Sequence, residues 1–385
     1  MKKIIAILLT AMMTLNLAAC GSEAASEKSS DTENVAVSST EIEEDTTGET
    51  KIITDHAGNQ VEIPTEINSI ILGSVYPIAS VLTVYLGSAE KIKGIHPVSM
   101  SAAENGLLGE LYPEILDAET GYINGDEINV EEVLKLDPDI AIGVTKDQAE
   151  VLAEAGIPAV VVSPSAWEYD VLETYNQWID LLDQIFGQSE ISERVSTYSQ
   201  EAYDSIQERV SALSSDEKKK VLILFKYDES AMITSGPNFF GQNWCDSVGA
   251  INVAEEIADG STVAINMEQV YEWNPDIIII TNFTGTQPED LYNNAIGGDD
   301  WSTVNAVKNG QVYKMPLGLY RTFTPGADTP VTLQWFAKTV YPELFSDIDV
   351  EEVTRAYFSD YYGVEVTDTQ LEKMYHPSSA GADGL

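Results

Sequence analysis

Basic residues are scarce: 20 lysines and arginines stand against 63 aspartates and glutamates, a formal charge of −43. That balance excludes general affinity for nucleic acid or for anionic membrane surfaces, and reads as the solvated acidic surface of an exported protein. Histidine is scarcer still. Of three, His56 falls in an N-terminal hairpin and His376 near the end of the chain, leaving His96 alone. A cage for free zinc or manganese needs several imidazoles and carboxylates in one place, so no metal site is expected. Cysteine occurs twice, at Cys20 and Cys245, too few for a disulfide framework, and Cys245 reads as a small buried hydrophobe. The chain has no Gly-x-Ser-x-Gly elbow, no Gly-x-x-x-x-Gly-Lys loop and no His-Glu-x-x-His, and no partner is placed to activate Cys245. No catalytic residue is nominated, and an enzyme is not expected.

What is present is enough apolar material for two full cores, 44% of 385 residues. The stretch Gln188 to Leu213 places Ile191, Val195, Tyr198, Ala202, Ile206, Val210 and Leu213 at steps of four and three, one continuous stripe on a helix on the order of 37 Å long. On either side of it lies a shared phrase, Asn129 to Ile142 and Asn266 to Ile279, identical at seven of fourteen positions with a constant offset of 137. Each copy reads as an Asn N-cap, a short helix, a Pro-Asp turn and a buried strand, so the chain is expected to hold two related α/β lobes joined by the helix 188–213.

Met1 to Cys20 has Lys2-Lys3, an apolar run from Ile4 to Leu15, then Leu17-Ala-Ala-Cys20. This is a secretory signal, too short to span a bilayer, and its end resembles the bacterial lipobox, which implies lipid on Cys20 and removal of residues 1–19. Residues 21–50 hold nine acidic residues against Lys28 alone and no aromatic, the composition of a disordered tether. Lys51 to Pro64 predicts a hairpin around Gly58-Asn59. Strands are predicted at 69–72, 92–95, 140–144 and 159–162, alternating with helices that end near Gly87, Gly156 and Gly187. After the helix 188–213, strands are predicted at 221–225, 277–281 and 312–314, with helices at 330–340 and 350–361. Alternation of this kind implies largely parallel sheets covered on both faces, two Rossmann-like lobes at 51–187 and 214–376, and a loose tail at 377–385.

The lipobox, Thr54-Asp55-x-x-Gly58-x-x-Val61-x-Ile63-Pro64, both Asn-x-Glu…Pro-Asp phrases and Trp301…Ala306-Val-Lys-x-Gly310-x-Val-Tyr313 together resemble the bacterial ABC-importer solute-binding lipoproteins that take iron(III) siderophores, haem and cobalamin. The resemblance runs from about Lys51 to Pro342. It implies two lobes on one rigid helix with a ligand cleft between them, and an iron(III) chelate as transported ligand with no cofactor permanently bound. The implied partners are an ABC permease dimer and its ATPase subunits. The protein is expected to act as a monomer, bound to the outer face of the cell membrane through lipid only, as in Gram-positive bacteria. Haem, cobalamin, an oxyanion such as molybdate, and a ligand-sensing lipoprotein outside transport remain alternatives. Cobalamin-binding relatives tend to carry a tryptophan where this chain has Gly125 and Asp126.

Ligands of open α/β sheets bind beyond the carboxyl ends of the strands. In the first lobe this nominates Tyr76, His96, Lys146 and Trp167. In the second it nominates Lys226, Tyr227, Phe239, Phe240, Asn282, Phe283, Tyr320 and Arg321, with Arg321 expected to meet the charge of a chelate. Glu131 and Glu268, the acids common to both phrases, suit the first turn of a helix. By the resemblance they are the two prongs that pair with arginines of the permease.

Overall fold

A computed structural model describes residues 48–187, 189–257 and 260–385; the signal segment, Cys20, the tether up to residue 47 and Gln188 lie outside the described residues. Thr50–Thr54 and Gln60–Pro64 pair antiparallel around Gly58, whose φ of 82° a side chain would resist. The first lobe holds four parallel strands in the order Ile92–Gly94, Ile70–Leu72, Ile140–Val144, Ala159–Val161. Ile70–Leu72 and Ile140–Val144 are buried at every position, as strands covered on both faces must be. In the second lobe Lys220–Tyr227, Ile277–Ile280 and Val312–Lys314 run parallel, and Met232–Ser235 and Thr262–Ala264 add an antiparallel edge. That edge escapes sequence reading because its strands are short and half polar.

The duplicated phrase folds alike in both lobes. Asn129 caps Val130–Leu136 and Asn266 caps Met267–Trp273, and each helix ends on a left-handed residue that is not glycine: Asp137 at φ 47° and Asn274 at φ 45°. Asp and Asn tolerate that conformation better than other side chains. The following aspartates fasten the helix to the sheet, Asp139 accepting from the Asn68 and Ser69 amides and Asp276 from the Lys220 amide. The Pro-Asp of the phrase is therefore a strand anchor.

Between the lobes runs the helix Ser189–Val210. Val195 packs into the core of the first lobe, and Ile206 and Val210 into a core of the second. It lies against Val171–Phe186 and Thr329–Val340.

The end of the chain departs from expectation. Helices Val350–Tyr362 and Asp368–Tyr375 do not belong to the second lobe alone: Tyr357, Phe358, Val366, Leu371 and Met374 are buried in the same cluster as Ile70, Leu72 and Ile142 of the first. Each such side chain contributes about 1.5–3 kcal/mol by burial, so this segment bolts the lobes together. Tyr175 and Tyr362 share a hydroxyl hydrogen bond there, and Tyr357 donates to the Ala327 carbonyl at 2.8 Å. Beside them burial pushes the Asp328 carboxyl up to about 6. The tail expected to be loose is also held. Ser379–Ala382 forms a turn of 3-10 helix, Gly381 is buried, and the Asp383 carbonyl accepts from Ser101 in the first lobe. Small residues here reflect close packing rather than disorder.

Candidate functional site

The loops that follow the strands of the first lobe converge on one hollow. Gly73 ends Ile70–Leu72, and a Cβ there would stand 2.6 Å from the Val144 Cα, so only glycine lets the loop Ser74-Val-Tyr-Pro77 leave the sheet at this angle. Thr145 follows Ile140–Val144 and caps the helix Lys146–Glu154, with Gln148 closing the capping box. Gln148 is buried, and its amide serves three loops at once. Its Oε1 accepts from the Ser74 amide at 3.2 Å and the Thr145 amide at 3.0 Å, while its Nε2 donates to Ser74 Oγ at 2.6 Å and the Asp126 carbonyl at 3.0 Å.

Across from these loops stand Phe240, Phe283, Tyr320, Thr324 and Pro325 of the second lobe, and the cleft between them measures about 570 Å³. Phe283 is held by its own turn: buried Lys314 donates to the carbonyls of Thr281, Thr284 and Thr286 at 2.9, 2.6 and 2.8 Å, and burial pushes its ammonium down to about 7. The walls are mainly apolar and aromatic. Burial, aided by the Asp126 charge, raises the Tyr76 phenol, and burial lowers His56, so both face the cleft neutral at pH 7. Lys146 lines it without an ion pair among the described residues, as does Asp126.

Of the residues nominated from sequence, Tyr76, Lys146, Phe240, Phe283 and Tyr320 meet in this cleft. The others do not line it. Trp167 lies in an adjoining acidic groove, packed edge to face on His56 with the ring centroids 4.9 Å apart. His96 is a helix cap: its Nδ1 accepts from the Val98 amide, leaving Nε2 to donate to the Gly125 carbonyl, so neither nitrogen is free for metal. Phe239 packs among Phe225, Phe240 and Phe323. Lys226 pairs with Asp228 at 3.5 Å on another face, and Tyr227 is buried between Trp301, from which it accepts, and Asp299, to which it donates. Asn282 donates to the Met315 and Pro316 carbonyls. Arg321, expected to offer free charge to a ligand, is 0% exposed, its guanidinium committed to four backbone carbonyls and the Tyr320 hydroxyl. Among the described residues no group of three or more His, Cys, Asp or Glu side chains is placed to hold a metal ion.

Sequence reading missed Ser74, Asp126, Thr145, Val162, Ser163, Pro164 and Ala166 as lining residues, and Gln148 behind them. The capping box Thr145-x-x-Gln148 was the available signal for the last.

A profile of the family described as periplasmic binding protein matches residues 99–317. The molybdate-binding protein MolA of Haemophilus influenzae is 22% identical over 334 residues, covering 81% of this chain and 91% of that protein. The ABC transporter substrate-binding lipoprotein YvrC of Bacillus subtilis is 26% identical over 302 residues, covering 76% and 86%. A periplasmic solute binding protein from Veillonella parvula superposes with a TM-score of 0.76 at 31% identity, covering 85% of this chain and 97% of the other.

Proposed function

This chain belongs to the periplasmic binding protein family, and from that membership we propose that it captures an iron(III)-siderophore or a related metal chelate and delivers it to an ABC importer. As a substrate-binding protein it works outside the cytoplasm with a permease, an ATPase and a small-molecule ligand, and it is not an enzyme. The observation that carries the chelate reading is the cleft of about 570 Å³ walled by Tyr76, Phe240, Phe283 and Tyr320, with Lys146 as a cation that has no ion pair among the described residues. Aromatic faces suit catecholate or other apolar chelate arms, and the ammonium suits their negative charge. A bare oxyanion would want converging N–H donors instead. Molybdate is retained as the second reading because MolA, similar over most of this chain, is a molybdate-binding protein.

Purification from iron-limited culture, followed by native mass spectrometry and a visible spectrum, should return a bound iron chelate. A haem band, a corrinoid spectrum or a molybdenum-only adduct would replace the siderophore assignment. Lys146→Ala should weaken chelate binding roughly tenfold, for about 1.5 kcal/mol from a hydrogen bond to a charged group. Unchanged affinity in fluorescence titration would remove Lys146 from the site.

Anchoring belongs to the same proposal. Lipid on Cys20 holds the chain to the membrane, and Cys20→Ala should release it into the soluble fraction. A variant that stayed with membranes after a salt wash would require another anchor. The protein acts as a monomer and presents Glu131 and Glu268 to the permease. Both carboxylates are exposed, and neither has a hydrogen-bond or ion-pair partner among the described residues, because Asn129 and Asn266 already cap the helix amides. Three residues on, Leu134 and Tyr271 are also exposed, by 54% and 43%, so each lobe offers the same acid and the same apolar neighbour.

A further inference from the structure

Arg321 is a buried cation with no carboxylate in ion-pair range among the described residues. Its Nη1 donates to the Val98 carbonyl at 3.2 Å and to the Tyr320 hydroxyl at 3.3 Å, and its Nε to the Asn282 carbonyl at 3.1 Å. The remaining contacts are unusual in origin. Nε also donates to the Gly381 carbonyl and Nη2 to the Asp383 carbonyl, each at 2.9 Å. Nε and Nη2 form the edge of the guanidinium that takes two oxygens of a carboxylate or oxyanion in a fork. Here two carbonyls of one short segment occupy that edge, supplying dipoles where an anion would supply charge.

The segment spans both lobes. Asp383 accepts at the same carbonyl from Ser101 Oγ at 2.5 Å, and a Cβ on Gly384 would lie 2.9 Å from the Ser101 Cβ. Gly381 covers the side chain of Asn282, whose Oδ1 is buried without a hydrogen-bond partner among the described residues. Only a thin wall separates this place from the cleft: the guanidinium carbon lies 5.6 Å from the Phe283 ring and 5.4 Å from the Tyr320 ring, and both rings line the cleft.

We propose that residues 378–385 form a displaceable strap, an internal substitute for an anion. Beneath it lies a subsite, the Arg321 fork with the Ser101 hydroxyl, that takes a carboxylate or a tetrahedral oxyanion when the strap lifts. A full negative charge on the fork replaces two neutral carbonyls, and the Asp383 side chain leaves with the strap, so exchange favours the ligand. The subsite deepens the cleft reading and rests on it for the ligand's position.

The test compares the full chain, a chain ending at Pro377, and Gly384→Ala, whose methyl group crowds Ser101 while the strap stays present. Each is titrated calorimetrically with molybdate and with iron(III) citrate, after thermal melts confirm folding. The shortened chain should bind one of these anions at least tenfold more tightly than the full chain, Gly384→Ala should show part of that gain, and Arg321→Lys should abolish it. A gain for molybdate alone assigns the subsite to a free oxyanion, and a gain for iron citrate alone to a chelate carboxylate. No gain in either variant, or a gain that survives Arg321→Lys, overturns the strap. Loss of chelate binding in Lys146→Ala would still stand in that case, so the cleft reading fails or holds separately.

Discussion

The double variant Glu131→Arg, Glu268→Arg is expected to bind ligand and fold like the wild type while delivering nothing to the importer. The expectation rests on what the two side chains lack. Asn129 accepts from the Glu131 and Glu132 amides, and Asn266 accepts from the Gln269 amide while Gln269 returns the bond, so the helix ends are satisfied without either carboxylate. What remains is an acid near a helix N-terminus, about 0.3–1 kcal/mol each, and reversal should lower stability by no more than about 2 kcal/mol. At an interface the same change is far larger, since a like charge set against a charged partner costs several kcal/mol. Two reversals should cut docking by over roughly 100-fold. Uptake into cells, or by transporter in liposomes, should fall to background while calorimetric ligand affinity and Tm stay near wild type. Normal uptake would refute the docking role, and lost ligand affinity would place these residues in the cleft.

The two capped helices that carry Glu131 and Glu268 were readable in the sequence because duplication repeats local rules: cap, short helix, left-handed stop, strand anchor. The stripe from Ile191 to Val210 was readable for the same reason, since 3.6-residue periodicity is local. Side-chain destination was not. Lys226 and Tyr227 do end a strand, Lys220–Tyr227, but the rule that ligands sit beyond carboxyl ends says nothing about which way each residue points. Lys226 faces Asp228, and Tyr227 turns inward to Trp301. The covering of Arg321 was not readable because two of the carbonyls that occupy its fork come from residues 60 and 62 positions later. A tail of Ser, Gly and Ala looks loose by composition, yet those residues are what permits close approach: a Cβ on Gly381 would already crowd the Leu317 side chain at 3.1 Å. The second lobe's extra helices went astray likewise, since nothing local in Tyr357 or Met374 says that they pack against the first lobe.

Gln148→Leu should cost both stability and ligand affinity, although Gln148 does not line the cleft. The side chain is 2% exposed and uses its carbonyl and both amide hydrogens, tying Ser74, Thr145 and Asp126 into one frame. Leucine fills a similar volume but leaves the Ser74 and Thr145 amides and the Asp126 carbonyl without that partner. Each buried orphan costs about 1–3 kcal/mol, so a loss of about 3 kcal/mol in denaturant unfolding is expected after water reaches some of them. The functional loss follows from geometry: Ser74, Thr145 and Asp126 lie on three separate loops that line the cleft together with their neighbours Tyr76 and Lys146. Once those loops are untied, binding must order them again, and affinity should fall by at least tenfold, about 1.4 kcal/mol. Gln148→Glu separates frame from bulk. Its carboxylate can still accept from both amides but cannot donate to the Asp126 carbonyl, so it should fall between wild type and Gln148→Leu in both measurements. If Gln148→Leu lost stability and kept full affinity, the three loops would be rigid without it, and Gln148 would be a fold residue only.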